Sequence, residues 1–166
     1  MSRAALRSLY FLISAVVILL DRLTKLFAAS HVELNFGRVQ VIPNFFFISH
    51  VENTGAAFSL FADWPQRVRA PLLVGFSILA MIVVAYLLWN SAAKFTWSGL
   101  ALAFILGGAI GNLYDRAHYG RVTDFLHFYI GSHSWPDFNL ADSAIVCGAT
   151  LLALDLIFGS KPATEK

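Results

Sequence analysis

Two carboxylates in this chain sit where charge is costly. Asp124 lies in Arg121-Val-Thr-Asp-Phe-Leu-His-Phe-Tyr129, an aromatic, half-apolar segment, and Asp142 begins the last apolar run. An ionisable group at the edge of a hydrophobic segment marks either a partner or a function. The seventeen residues 125–141 between them contain Gly131-Ser-His-Ser-Trp-Pro136, rich enough in breakers for the chain to fold back. Two close carboxylates in a low-dielectric site resist double ionisation, so one keeps a proton. The ionised one then takes a proton from water while the neutral one donates to a carbonyl, the logic of an aspartic-protease pair. The structural alternative makes Asp142 a helix N-cap and pairs Asp124 with Arg121.

Other groups have plainer expected roles. Asp115 and Arg116 adjoin, with Asn112 one turn earlier on the face of Asp115. A structural ion pair between the two neighbours is the expected arrangement, and catalysis by Asp115 comes second. Asp21 and Lys25 have the i,i+4 spacing of a self-neutralising helical pair, expected to snorkel to the membrane interface; the functional alternative has them hold the site or a headgroup. Asn53-Thr-Gly-Ala-Ala-Phe58 puts small residues after an amide, which admits a close backbone or substrate. Gly107 and Gly111 form a GxxxG with Gly108 beside them, the pattern of close helix packing. The five histidines show no metal-ligand spacing, and the single cysteine, Cys147, is expected to be a buried apolar residue. There is no phosphate loop and no nucleophile elbow.

These groups need a scaffold, and the composition says which kind. Of 166 residues, 58% are apolar and 13% charged, where a soluble domain would be about a quarter charged. The net charge of +2, without a basic stripe, gives no footprint for nucleic acid. The expected class is an all-α integral membrane protein with four transmembrane helices, approximately 8–29, 70–93, 95–114 and 140–158. Pro71 suits a first helical turn. Asp142 and Asp155 stand about 20 Å apart along a helix, so Asp155 belongs to the opposite boundary. Arg38-Val-Gln-Val-Ile-Pro43 and Asn44-Phe-Phe-Phe-Ile-Ser-His-Val51 read as strands, a small β-rich extracytoplasmic element between helices 1 and 2, with Phe45 to Phe47 at the interface. The run before Asp21 resembles a signal peptide, but Asp21, Arg22 and Lys25 follow it before any cleavage site, so a retained helix is expected. Five Lys and Arg on the termini and the Lys94 loop oppose seven on the other side. The denser clustering of the five favours cytoplasmic termini.

Five stretches then carry a family resemblance: Asp21-Arg-Leu-Thr-Lys25, Asn53-Thr-Gly-Ala-Ala-Phe58, Gly108-Ala-Ile-Gly-Asn-Leu-Tyr-Asp-Arg116, Val122-Thr-Asp-Phe125 and Phe138-Asn-Leu-Ala-Asp142. In this order, over essentially the whole chain, they resemble the lipoprotein signal peptidases (signal peptidase II). The resemblance implies one four-helix membrane peptidase domain over 1–166. It implies an aspartic endopeptidase that removes the signal peptide of diacylglyceryl-modified prolipoproteins, cutting N-terminal to the lipidated cysteine. Asp124 and Asp142 fall on the catalytic aspartates. Asn53, Asn112, Arg116 and Asn139 match polar positions around the site, Asp115 shares their motif, and Asp21 and Lys25 match a more structural one. It implies no metal or organic cofactor, prolipoprotein signal peptides and membrane lipid as partners, no nucleic acid, and a monomer. The expected location is the bacterial inner membrane, with several spans, both termini cytoplasmic and the site near the periplasmic face. The rivals from other classes are a proton-coupled transporter, which would place carboxylates at the midplane of repeated halves, and an assembly factor using the GxxxG face.

Overall fold

The computed structural model describes residues 1–55, 63–91 and 95–158. Among them are four helices long and apolar enough to cross a membrane: α1 (Arg3–His31), α2 (Gln66–Ser91), α3 (Trp97–Tyr119) and α4 (Leu140–Phe158). The Lys94 loop and Ala56–Phe58 of the second motif lie outside the described residues.

α3 packs against the other three helices, and its composition permits that. Its buried residues include Gly99, Ala101, Ala103, Gly107, Gly108 and Gly111, small enough for backbones to approach closely. The glycines divide the work between two neighbours. A Cβ on Gly107 would fall 2.7 Å from Val17 Cβ and 2.8 Å from the Ser14 carbonyl on α1, whereas one on Gly108 would meet the Ala141 backbone and Ile145 on α4. A backbone cannot swing aside as a side chain can. Gly108→Ala is therefore expected to destabilise the bundle by about 1–3 kcal/mol, read as a lowered melting temperature in detergent. α1 answers α3 with a stripe of buried residues at helical spacing, Leu6, Tyr10, Ser14, Asp21, Lys25 and Ala28. α2 is apolar nearly all round, with Phe76, Leu79, Ile82 and Tyr86 exposed, as a lipid-bathed helix should be. Pro71 lies within α2 rather than in its first turn. The start is set by Pro65, whose carbonyl accepts the N–H groups of Val68 and Arg69. Cys147 is exposed rather than buried, since α4 packs through Ala141 and Gly148 and leaves that flank outside. Asp155 sits at the far end from Asp142, accepting the backbone N–H of Ser98 at 3.1 Å in the first turn of α3.

The β element between α1 and α2 is present as β1 (Val39–Ile42) and β2 (Phe46–Asn53). It is half of an antiparallel sheet in the order β1-β2-β3-β4, completed by β3 (Val122–Ile130) and β4 (His133–Ser134) from the α3–α4 connection. Gly120, at φ +70°, closes α3 in the left-handed conformation and donates to the Arg116 carbonyl, so the chain turns directly into β3. Of the three phenylalanines expected at the interface, Phe47 is buried and stacks on His127 across the strands. Phe46 stacks on Phe128, and Phe45 is 39% exposed.

Candidate active site

Five elements meet at one end of the bundle, and each delivers a polar side chain. β3 presents Asp124, which is 2% exposed. Asn53, the last residue of β2, is registered opposite Val122. Residues two apart on a strand share a face, so Asn53 and Asp124 are diagonal neighbours, and the Asn53 amide donates to Asp124 Oδ2 at 3.0 Å. α4 begins with Asn139 before it and Asp142 in its first turn. The Asn139 side chain accepts the Asp142 N–H at 2.9 Å, and Asp142 Oδ2 accepts the Asn139 N–H at 3.3 Å. This is the reciprocal arrangement of a capping box. Asn139 is the cap, and Asp142 is its acidic partner.

One side chain links the two aspartates. The Asn139 amide nitrogen donates to Asp124 Oδ1 at 2.7 Å while its carbonyl holds the Asp142 N–H. From α3, the Asn112 amide donates to Asp142 Oδ1 at 2.7 Å. Every carboxylate oxygen of the pair thus faces an N–H group.

The orientation of these amides is fixed by groups that can only donate. The Asn53 carbonyl takes the Gly55 N–H at 2.9 Å. The Asn139 carbonyl takes that of Asp142, and the Asn112 carbonyl takes the Lys25 ammonium at 3.0 Å. Flipping any of the three amides would set two donors face to face. All three NH2 groups must therefore point at carboxylates.

Behind Asn112 lies a buried charge cluster. Lys25 Nζ is 2.8 Å from both Asp21 Oδ2 and Asp115 Oδ2, and Arg22 reaches Asp115 Oδ1 at 3.3 Å. Asp21 also accepts the Ala141 N–H at 2.9 Å, tying α1 to the start of α4. The Asp21–Lys25 pair exists, but it is buried against α3 and α4 instead of snorkelling outward. The expected Asp115–Arg116 pair does not form. Asp115 turns to α1, and Arg116 donates to the Gly55 carbonyl at 3.2 Å. Arg116 Nε has no hydrogen-bond partner among the described residues. Its charge lies within reach of Asp142, Asp124 and Asp115. The Asp124–Arg121 pairing is absent too, because Arg121 pairs with Glu52 at 2.8 Å.

Burial, reinforced by the negative charge of Asp142, pushes the Asp124 carboxyl up to about 7, against the opposing pull of the Asn53 and Asn139 amides. Asp142 is only half-buried. The pair is therefore asymmetric, with a buried Asp124 that holds its proton far more tightly than an ordinary carboxyl beside a more open Asp142. Among the described residues no His, Cys, Asp and Glu are grouped as for a metal ion. Asn139 was legible without any resemblance, as an amide three residues before an acid at a helix start, although the residue-by-residue reading did not single it out.

Residues 13–158 match the family model described as signal peptidase (SPase) II. A lipoprotein signal peptidase of Solibacter usitatus is 43% identical over 145 residues, covering 87% of this chain and 88% of the relative. One from a Sulfurihydrogenibium species is 44% identical over 140 residues, covering 84% and 85%. A solved bacterial membrane enzyme superposes with a TM-score of 0.82 at 27% identity, covering 96% of this chain and 94% of that one.

Proposed function

The chain belongs to the signal peptidase (SPase) II family, and on that premise we propose that it is a multi-pass bacterial membrane endopeptidase of the aspartic type, with Asp124 and Asp142 as its catalytic pair. It removes the signal peptide from prolipoproteins carrying a diacylglyceryl group, cutting immediately before the lipidated cysteine. The observation that carries this reading is the Asn139 side chain, bonded at once to Asp124 and to the Asp142 N–H.

Asp142, the more open member, takes a proton from a water as its oxygen attacks the scissile carbonyl carbon. Asp124 gives its proton to the carbonyl oxygen. The tetrahedral diol then collapses, the C–N bond breaks, and the amine leaves with the proton that Asp142 holds. A hydroxyl proton of the diol returns to Asp124 as the new carboxyl forms. Asn53, Asn112 and Asn139 hold the carboxyl groups in place, and the Arg116 charge sits beside them. Asp21, Lys25 and Asp115 support the site from behind. No metal or organic cofactor enters these steps.

One domain spans 1–166 in this reading, acting as a monomer in the inner membrane with both termini cytoplasmic and the site near the periplasmic face. There a membrane-embedded signal helix arrives sideways and water arrives from outside. The test is mass spectrometry of a diacylglyceryl-modified prolipoprotein peptide incubated with the purified, folded protein in detergent. The expected product begins at the lipidated cysteine. An intact peptide, or a cut elsewhere, overturns the reading.

The pH profile follows from the asymmetry. Above about 7, Asp124 loses its proton and the pair has no acid left. The rate is therefore expected to fall about tenfold per pH unit on that side, and a flat profile from about pH 6 to 9 would contradict it. Stability moves in the same direction. The folded state holds this proton more tightly than an unfolded chain with the ordinary value of 3.8, so what Asp124 contributes is fully present below 3.8 and is lost as pH rises through about 7.

A further inference from the structure

Asp137 takes no part in the proposed chemistry, yet its carboxylate is bound from two strands. Its Oδ1 accepts the Ser49 hydroxyl from β2 and lies 3.2 Å from His127 Nδ1 on β3. The His127 ring is itself held, stacked on Phe47 at 4.3 Å between centroids. Ser49, His127 and Asp137 do not form a nucleophilic triad, because the hydroxyl donates to the acid rather than to the imidazole.

The position of Asp137 in the chain gives the cluster its meaning. It lies in the short link from β4 to α4. The next residue, Phe138, lays its backbone along β3: its carbonyl accepts the N–H groups of Phe125 and Leu126, and its own N–H donates to Leu126. The residue after that is Asn139. Asp124 and His127 are three apart on β3 and so point to opposite faces. The link is therefore gripped on one face through Asp137 and delivers the Asn139 amide to Asp124 on the other.

We propose that Asp137, clasped by Ser49 and His127, is a positioning residue that sets the depth at which Asn139 reaches between Asp124 and Asp142. The proposal rests on the aspartate-pair reading. Without the clasp the link retains its backbone bonds to β3 but loses its side-chain anchor. A displacement on the order of 1 Å at reacting groups costs about a hundredfold in rate.

Steady-state cleavage of the lipidated peptide by the full chain tests it, using Asp137→Ala, Asp137→Asn, Ser49→Ala and His127→Ala, with Asp124→Asn as reference. Asp137→Ala is expected to lower kcat by about 10- to 100-fold with KM within about twofold. Asp137→Asn, whose amide oxygen still accepts from Ser49 and His127, is expected to recover most of that loss. Ser49→Ala and His127→Ala should each give part of it. Parent-like kcat in Asp137→Ala, or a raised KM at unchanged kcat, overturns the proposal, the latter making Asp137 a substrate contact. If Asp137→Ala fails to fold, Ser49→Ala decides in its place: a lowered kcat at constant KM supports the clasp and a parent-like kcat overturns it. The failure of the underlying reading is separate, because only then does Asp124→Asn stay active.

Discussion

Replacing either Asp124 or Asp142 with asparagine is expected to leave a folded protein that cleaves at least about 10⁴-fold more slowly than the parent. Members of a catalytic unit each cost nearly the whole of its effect when removed singly. Asparagine preserves size, and the surroundings tolerate it differently at the two positions. At Asp124 a neutral amide removes the acid without burying a new charge, but its NH2 must face the NH2 of Asn53 or Asn139, so a stability loss of about 1–3 kcal/mol is expected. At Asp142 the amide keeps a carbonyl for the Asn112 donor but no longer takes a proton from water. Asp115→Asn serves as the contrast. It touches the charge cluster and not the pair, so it should lower stability more than the rate of the folded fraction. Single-turnover cleavage beside thermal melting separates the two effects. Residual activity in both Asp124→Asn and Asp142→Asn would move the chemistry elsewhere, with Asp115 the next acid to test.

The largest expected stability effect falls at Lys25. The residue is 1% exposed, and its ammonium lies 2.8 Å from both Asp21 and Asp115 and donates to the Asn112 carbonyl. Lys25→Met keeps the length and removes the cation, leaving two carboxylates buried together, with Arg22 at 3.3 Å and the more remote Arg116 charge to offset Asp115. Breaking a buried pair this way costs about 3–5 kcal/mol. The exposed Arg121–Glu52 pair has the same 2.8 Å separation, yet Glu52→Gln is expected to cost less than about 1 kcal/mol, because water screens it. Melting temperatures of the two variants in one detergent compare burial at constant distance. Lys25→Met also removes the shorter of the two donors that hold the Asn112 carbonyl, leaving the Asn139 amide at 3.3 Å, so its folded fraction should cleave more slowly than the parent. A melting temperature near that of the parent would show that the cluster does not hold α1 to α3 and α4.

The sequence by itself determined the class of molecule. Long apolar runs specify four helices whatever they pack against, and the alternating apolar residues after Arg38 specify strands, because both are local periodicities. The glycines of α3 announce close contact, since a missing Cβ is a property of the residue. The capping box at Asn139 and Asp142 is local as well. What the sequence misassigned were partners, and the reason is geometric. Asp115 and Arg116 are adjacent in the chain, but neighbours on a helix do not face each other, and Asp115 meets Lys25 and Arg22 on α1 instead. Arg121 and Asp124 are three apart on a stretch that became extended, so they point to opposite faces, and Arg121 finds Glu52 across the strands. The second half of the sheet escaped notice because the aromatic stretch of β3 gains its neighbour only when β2 arrives from some seventy residues earlier, as Asn53 and Asp124 show. Only the tertiary structure decided that Asp124 would be the buried acid, Asp142 the open one, and three amides would be turned toward them. Those facts depend on what lies across space from each group, and chain order does not encode that distance.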